Sequence, residues 1–429
     1  MVASKQPALS PLPVQPRAEP LDLPDHTTAE IVALAERYLT PNYRNAPLVF
    51  VGGDGPWGET LEGEMFLDFS AGVAVNALGH NHPDFVAALQ AQAGRLIHQS
   101  NYWHNAHAAP LAQGLCEQFQ RATGTPARCF FANSGAEANE AMIKVARRYH
   151  AKILGKPRPD IITFEGSFHG RTFAAMTATA QAKYQEGFEP LVPGFHYAKF
   201  GDLASVQALL TPQVGAILVE VVQGEGGVRM AQPGFFRDLR ALCDAHGMLL
   251  LLDEVQTGFG RTGTFFGFEQ EGVAPDAISL AKALGGGVPI GAMVARDAVA
   301  QALTPGSHAT TFGANALASY AGRAMLAIFQ RDRLVERSAE MGAYLLEQLH
   351  TAFDGKPYVR DVRGRGLMCG VEITTDPKAV VEAARARGFL FSVAGTHVLR
   401  LTPPLIVDRS HCDLAVERLL AACESVAGA

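Results

Sequence analysis

The chain has 429 residues, 48% hydrophobic and 18% charged, with a formal charge of −6, the make-up of an ordinary globular protein longer than one compact core. It has no run of the roughly 18 apolar residues that would span a bilayer and no dense Lys/Arg stripe of the kind that grips nucleic acid, so the expected partners are small molecules or proteins. Its six cysteines (Cys116, Cys129, Cys243, Cys369, Cys412, Cys423) are scattered without a C-x-x-C pair, which argues against a metal site or disulfide framework and suits free thiols in a reducing cytoplasm.

The first segment, residues 1–26, is rich in proline and has no apolar stretch of the kind a secretory signal carries. It is expected to be a mobile arm on a cytoplasmic protein. From Thr28 to Leu39 the apolar residues approximate a helical stripe that Pro41 ends. Val49 to Val51 and Met65 to Phe69 flank a glycine-rich stretch and suggest strands joined by turns.

From about His82 onward, helical patterns alternate with short apolar runs at Cys129–Phe131, Asp160–Phe164, Ala216–Val222, Met248–Leu252 and Ala277–Leu280. That alternation predicts an α/β fold whose mostly parallel sheet is covered by helices on both faces. After Ser134, apolar residues recur from Ala138 to Tyr149 at helical spacing, so an amphipathic helix is expected there. Long helical patterns run from about Ala316 to Leu349. Strand-like Gly370–Ile373 and Val398–Leu401 follow, then a closing helix near Cys412–Val426, which suggests a second, smaller α+β unit.

In open α/β sheets, ligands collect at the carboxyl ends of the strands. There the sequence places Asp253, after the Met248–Leu252 run, and Lys282, after Ala277–Leu280 and before Gly285-Gly286-Gly287. An acid and a lysine at neighbouring strand ends suit pyridoxal 5'-phosphate (PLP). A buried carboxylate keeps the pyridine nitrogen protonated, and a desolvated lysine amine attacks an aldehyde and later moves a proton. An isolated lysine in a glycine loop would be an ordinary surface group. Here it is joined by Ser134-Gly135-Ala136 at the start of the amphipathic helix, where backbone N–H groups and the helix dipole form an anion site. Ser134 serves equally as a plain N-cap.

Seven ordered blocks carry a resemblance: Asp68 to Pro83, F-F-A-N-S-G-A-E-A-N-E-A from Phe130, F-H-G-R-T from Phe168, V-E-V-V-Q-G-E-G-G from Val219, L-L-D-E-V-Q-T-G-F-G-R-T-G from Leu251, S-L-A-K-A-L-G-G-G-V-P-I-G-A from Ser279 and V-L-R-L-T-P-P-L from Val398. Across residues 40 to 425 the chain resembles the class III, ornithine-type, PLP-dependent aminotransferases of fold type I. The resemblance implies a large PLP-binding domain over residues 81–320. It also implies a smaller α+β domain built from both chain ends, with 27–80 contributing and 321–429 forming its C-terminal part.

It further implies that Lys282 forms the Schiff base and that Asp253 partners the pyridine nitrogen. Val255 and Phe168 would sandwich the ring, although Phe168 suits the core equally, and Gln256 would reach the phenolic oxygen. Gly135 and Ala136 would bind phosphate, and Thr311 would reach the phosphate of the other subunit in a homodimer with shared active sites. Two departures stand out. The family's G-G-N-P is Gly313-Ala314-Asn315-Ala316 here, and its W-D-x-x-G is altered at Trp57-Gly58-Glu59.

Transamination needs a site for an amine donor and then for a keto acid such as 2-oxoglutarate. Both carry carboxylates, for which arginine is the efficient receptor. Alone, Arg171 and Arg400 read as surface or ion-pair arginines. The resemblance implies that Arg171 grips the distal carboxylate and Arg400 the one beside the reacting carbon. Glu225 would pair with Arg400 when an ω-amine offers no such group, and Tyr43 either holds the distal end or simply packs. Within the family, A-V-N-A-L-G-H and Q-S-N-Y-W-H-N are most similar to enzymes acting on N2-acetyl-L-ornithine. Ornithine, succinylornithine, 4-aminobutyrate and lysine-type amines are alternatives, as are an aminomutase and a non-catalytic PLP-binding protein.

Overall fold

The computed structural model describes residues 25–428, so the proline-rich stretch lies almost wholly outside the described residues. The chain divides into two units, one ending at Phe50 and one beginning at Val51. In the first, the Thr28–Tyr38 helix opens on a capping box, Thr27 and Glu30 each bonding the other's backbone N–H, and it buries none of its residues.

The second unit is built on a seven-stranded sheet. Its strands stand in the order Ala127–Ala132, Gly291–Arg296, Ala277–Leu280, Leu249–Asp253, Val214–Glu220, Asp160–Phe164, Phe195–Ala198. Leu249–Asp253 runs parallel to both its neighbours, Gly291–Arg296 is antiparallel to both of its own, and the remaining pairings in the sheet are parallel. Alternate residues enter different cores. Leu250, Leu252, Ile217 and Val219 join one cluster, whereas Leu249, Leu251, Ala216 and Leu218 join a second with Ala141, Met142, Val145 and Ala146 of the Gly135–Arg148 helix. Burial on both faces explains why these strands read as continuous apolar runs rather than alternating ones. Each buried leucine contributes about 1.5–3 kcal/mol.

Two strands of this sheet, Phe195–Ala198 and Gly291–Arg296, lie outside the apolar runs read as strands in the sequence. The expected Ala216–Val222 strand ends at Glu220, and a short strand, Val222–Gln223, then pairs with Arg229–Met230. The helical pattern from Ala316 is two helices, Ala316–Arg331 and Leu334–Phe353, separated where Arg333 takes a left-handed φ of 52°.

Smaller sheets complete the unit. Trp57–Thr60 pairs with Met65–Asp68, which in turn runs parallel to Phe389–Leu390, so segments from both ends of the chain share a sheet. Val359–Arg365, Met368–Ile373, Val398–Leu401 and Ser392–Ala394 form another, with Arg400 opposite Gly370 and Ser392. No described helix is long and apolar enough to cross a membrane.

The altered G-G-N-P block has a clear geometry. Ala314, where the family has glycine, adopts φ 65°, a left-handed conformation costing a non-glycine residue about 1–2 kcal/mol. Ala316, where the family has proline, is the first residue of a helix capped by Asn315, whose side chain accepts from Ala318 N at 2.9 Å. Proline suits that position because the N–H it lacks has no intrahelical partner.

Candidate active site

A cavity of about 420 Å³ opens at the carboxyl ends of the central strands, within the size range of small-molecule sites. Five stretches that are far apart in sequence meet there because the parallel strands deliver their ends to one edge. Lys282, Asp253, Ser134, Gly135, Ala136, Phe168, Val255, Gln256, Arg171 and Glu225 all line it.

Asp253 ends its strand 4% exposed, with four donors around it. Asn139 Nδ2 donates to Oδ2 at 2.7 Å and His169 Nδ1 stands 2.8 Å from the same oxygen. Val255 N at 3.0 Å and Ser279 Oγ at 3.2 Å donate to Oδ1. The carboxylate contact calls for the imidazole proton on Nδ1, leaving the enclosed Nε2 without a partner. Asn139 also bonds the His169 carbonyl at 2.7 Å, so the carboxylate and the Phe168–Gly170 loop are tied together.

Lys282 follows the Ala277–Leu280 strand in a left-handed conformation, φ 48°, and opens a short 3-10 turn, Lys282–Leu284. Burial pushes its amine down to about 8; Glu225 opposes that shift and Arg400 adds to it. The lysine is thereby brought within reach of neutrality near physiological pH. Burial, reinforced by the charge of Asp253, holds the Glu220 carboxyl well above the usual carboxylate range. Its Oε2 accepts the Phe168 N–H at 3.1 Å.

At the start of the Gly135–Arg148 helix, Ser134 Oγ accepts from Glu137 N at 3.2 Å. Gly135 and Ala136, the first two helical residues, line the cavity, and their N–H groups have no intrahelical acceptor. A methyl group on Gly135 would come 2.7 Å from Val255 Cγ1, so only glycine lets helix terminus and valine approach.

Arg400, 2% exposed, does not itself line the cavity but bonds two residues that do, with NH1 2.5 Å from Glu225 Oε1 and 3.3 Å from Gln256 Oε1, and its Nε donates to Ser392 Oγ at 3.0 Å. Burial works against ionisation of Glu225, but the Arg400 guanidinium outweighs it and keeps the carboxyl below its usual range. Arg171 stands exposed at the mouth. Thr311 is exposed and does not line this chain's cavity, and Tyr43 is an exposed residue of the N-terminal unit.

The donor set suits PLP: a depressed lysine amine, a buried carboxylate held by four donors, and a helix terminus with free N–H groups kept open by a glycine. Sequence reasoning did not single out Asn139, His169, Ser279 or Glu220. The first two sit inside the F-F-A-N-S-G-A-E-A-N-E-A and F-H-G-R-T blocks, but their approach to Asp253 spans 114 and 84 residues.

Comparison with known proteins agrees with this chemistry. The family described as Aminotransferase class-III matches residues 38–423. An acetylornithine aminotransferase of Myxococcus xanthus is 46% identical over 91% of this chain and 96% of its own, and one of Aquifex aeolicus is 45% identical over 89% and 98%. Among solved structures, the ornithine aminotransferase of Toxoplasma gondii superposes with a TM-score of 0.89 at 32% identity, covering 94% of this chain and 96% of that one. With a match across most of its length, the chain belongs to the class III aminotransferases, enzymes that depend on pyridoxal 5'-phosphate.

Proposed function

We propose that the protein moves the terminal amino group of N2-acetyl-L-ornithine to 2-oxoglutarate, giving N-acetyl-L-glutamate 5-semialdehyde and L-glutamate. The observation that carries this reading is the buried Arg400–Glu225 pair at 2.5 Å. An ω-amine brings no carboxylate beside its reacting carbon, so an arginine there must have an internal counter-ion, or an unpaired charge is left in a low-dielectric site. Glutamate and 2-oxoglutarate bring that carboxylate themselves, and Glu225 then yields Arg400 to them. Relatives 46% and 45% identical that carry the acetylornithine name support the choice of amine.

When bound, PLP supplies an aldehyde for the amine and a ring that withdraws electrons from the reacting carbon. Lys282 would hold the cofactor's aldehyde between turnovers, and its Nζ, when neutral, would take the proton from the substrate's reacting carbon. Asp253 keeps a proton on the pyridine nitrogen, with Asn139, His169 and Ser279 fixing its two oxygens. Val255 and Phe168 would enclose the ring and exclude water, and Gln256 would bond its phenolic oxygen. Ser134, Gly135 and Ala136 take the phosphate. Arg171 binds the distal carboxylate of either substrate. Thr311 serves the site of a partner subunit in a cytoplasmic homodimer, a reading supported by its exposure and its place outside its own chain's cavity.

A panel of amines with 2-oxoglutarate, ranked by kcat/KM, tests the substrate. N2-acetylornithine should lead; a higher rank for ornithine, succinylornithine or 4-aminobutyrate overturns the choice. Lys282→Ala should abolish both turnover and the visible absorbance of the bound cofactor, and an active variant overturns the chemistry.

A further inference from the structure

Arg171 is an exposed cation at the cavity mouth, and among the described residues no carboxylate pairs with it. Its recorded contacts are aromatic: the guanidinium carbon lies 4.1 Å from the centroid of the Tyr184 ring and 5.6 Å from that of Phe168. The two rings meet edge to face, 5.7 Å between centroids and 82° between planes. Lys183 Nζ lies 4.7 Å from the same Tyr184 centroid, so the ring draws in two cations. Tyr184 lies in none of the blocks that carry the family resemblance and does not line the cavity.

The backbone under this ring is tied to the loop that carries Phe168 and Arg171. Gln181, three residues before Tyr184, donates from Nε2 to the Ser167 carbonyl at 2.8 Å and the Gly166 carbonyl at 3.3 Å. Ser167 Oγ donates to the Ala178 carbonyl at 3.2 Å and accepts from Ala180 N at the same distance. His169 N donates to Thr179 Oγ1 at 2.8 Å. On the other side Gln185 Nε2 bonds the Thr179 carbonyl at 2.9 Å and Tyr197 Oη at 3.2 Å. The ring therefore sits on a turn fixed to the same loop whose arginine it faces. A long side chain at a solvent-exposed mouth otherwise samples many rotamers, and each must be given up when a carboxylate binds.

We propose that Tyr184 is a positioning residue that holds Arg171 in its carboxylate-binding orientation and so sets the affinity for substrates with a distal carboxylate. The proposal rests on the reading of Arg171 as the distal carboxylate receptor. The aromatic face does the positioning without neutralising the charge, as a carboxylate partner would, and leaves the guanidinium N–H donors for the substrate.

The experiment measures, by titration calorimetry on the holoenzyme, the binding of glutarate, a dicarboxylate with no reacting group, alongside KM and kcat for 2-oxoglutarate. Tyr184→Leu should weaken glutarate binding and raise that KM by about two- to fivefold, the worth of one exposed cation–π contact, with kcat little changed. Tyr184→Phe, which keeps the ring, should restore both. In an Arg171→Ala background Tyr184→Leu should add no further loss. If Arg171→Ala weakens glutarate and Tyr184→Leu does not, or if the two losses simply add, the proposal for Tyr184 fails and the receptor reading stands. If Arg171→Ala leaves glutarate binding intact, the receptor reading itself fails and the proposal falls with it.

Discussion

Glu225→Ala leaves Arg400 with two neutral acceptors, Ser392 Oγ and Gln256 Oε1, around a guanidinium that is 2% exposed. Removing one member of a fully buried ion pair costs about 3–5 kcal/mol. Here the Glu225 side chain is 23% exposed toward the cavity, so water replaces part of its effect, and about 2 kcal/mol is the appropriate size, within the range for a hydrogen bond to a charged group. In the variant, glutamate no longer has to displace Glu225 and gains that amount on binding. N2-acetylornithine, with no carboxylate for Arg400, gains nothing. The ratio of kcat/KM for the ω-amine to that for glutamate should therefore fall by about 30-fold, since each 1.36 kcal/mol is tenfold. Steady-state rates for the two half-reactions, measured on one preparation, give this ratio directly. Equal changes for both substrates would refute the idea that Glu225 and the incoming carboxylate compete for one arginine.

Other expectations follow from the same geometry. In the cofactor-free protein the Lys282 amine titrates near 8 because burial depresses it from an ordinary 10.5. Between those values the unfolded chain binds the extra proton, so stability should rise with pH across that window, and the rise should vanish in Lys282→Met, as denaturant titrations at several pH values can show. Gly135→Ala places a methyl group 2.7 Å from Val255 Cγ1; overpacking of this kind costs about 1–3 kcal/mol, to be read as weaker cofactor retention in equilibrium dialysis. Ala314→Gly should raise stability by about 1 kcal/mol by relieving φ 65°. Ala316→Pro at the helix start should add about 0.4–1 kcal/mol, and a thermal shift downward for either variant would contradict the geometry described.

Much of this site was legible because a parallel sheet concentrates chemistry at its strand ends. Asp253 and Lys282 could be placed from the apolar runs before them, and Ser134 from the stripe that follows it. What stayed hidden lies across the sheet. Asn139 and His169 reach Asp253 only because the Gly135–Arg148 helix and the Phe168 loop fold over the same edge, a proximity that no local pattern encodes. The Gly291–Arg296 strand was missed because its glycine, small residues and lack of alternation do not advertise a strand; its antiparallel pairing with Ala127–Ala132 supplies the definition. Similarly, the break at Arg333 falls between two helices of matching apolar texture, where a left-handed residue, not a proline or glycine, makes the turn.

The four donors around Asp253 and the open position of Arg171 give the two ends of one cavity different electrical surroundings. Dissolved ions screen charges in solvent over about 10 Å at 0.1 M salt and about 3 Å at 1 M, but act far less on groups sealed by protein. Ionic strength thus becomes a tool that touches one end and spares the other. With Arg171 as the proposed distal receptor and Asp253 as the proposed cofactor anchor, added salt should raise KM for dicarboxylates and leave cofactor retention unchanged. On the proposed reading, Asp253, 4% exposed, works in a sealed interior and Arg171 meets substrates at the solvent-exposed rim.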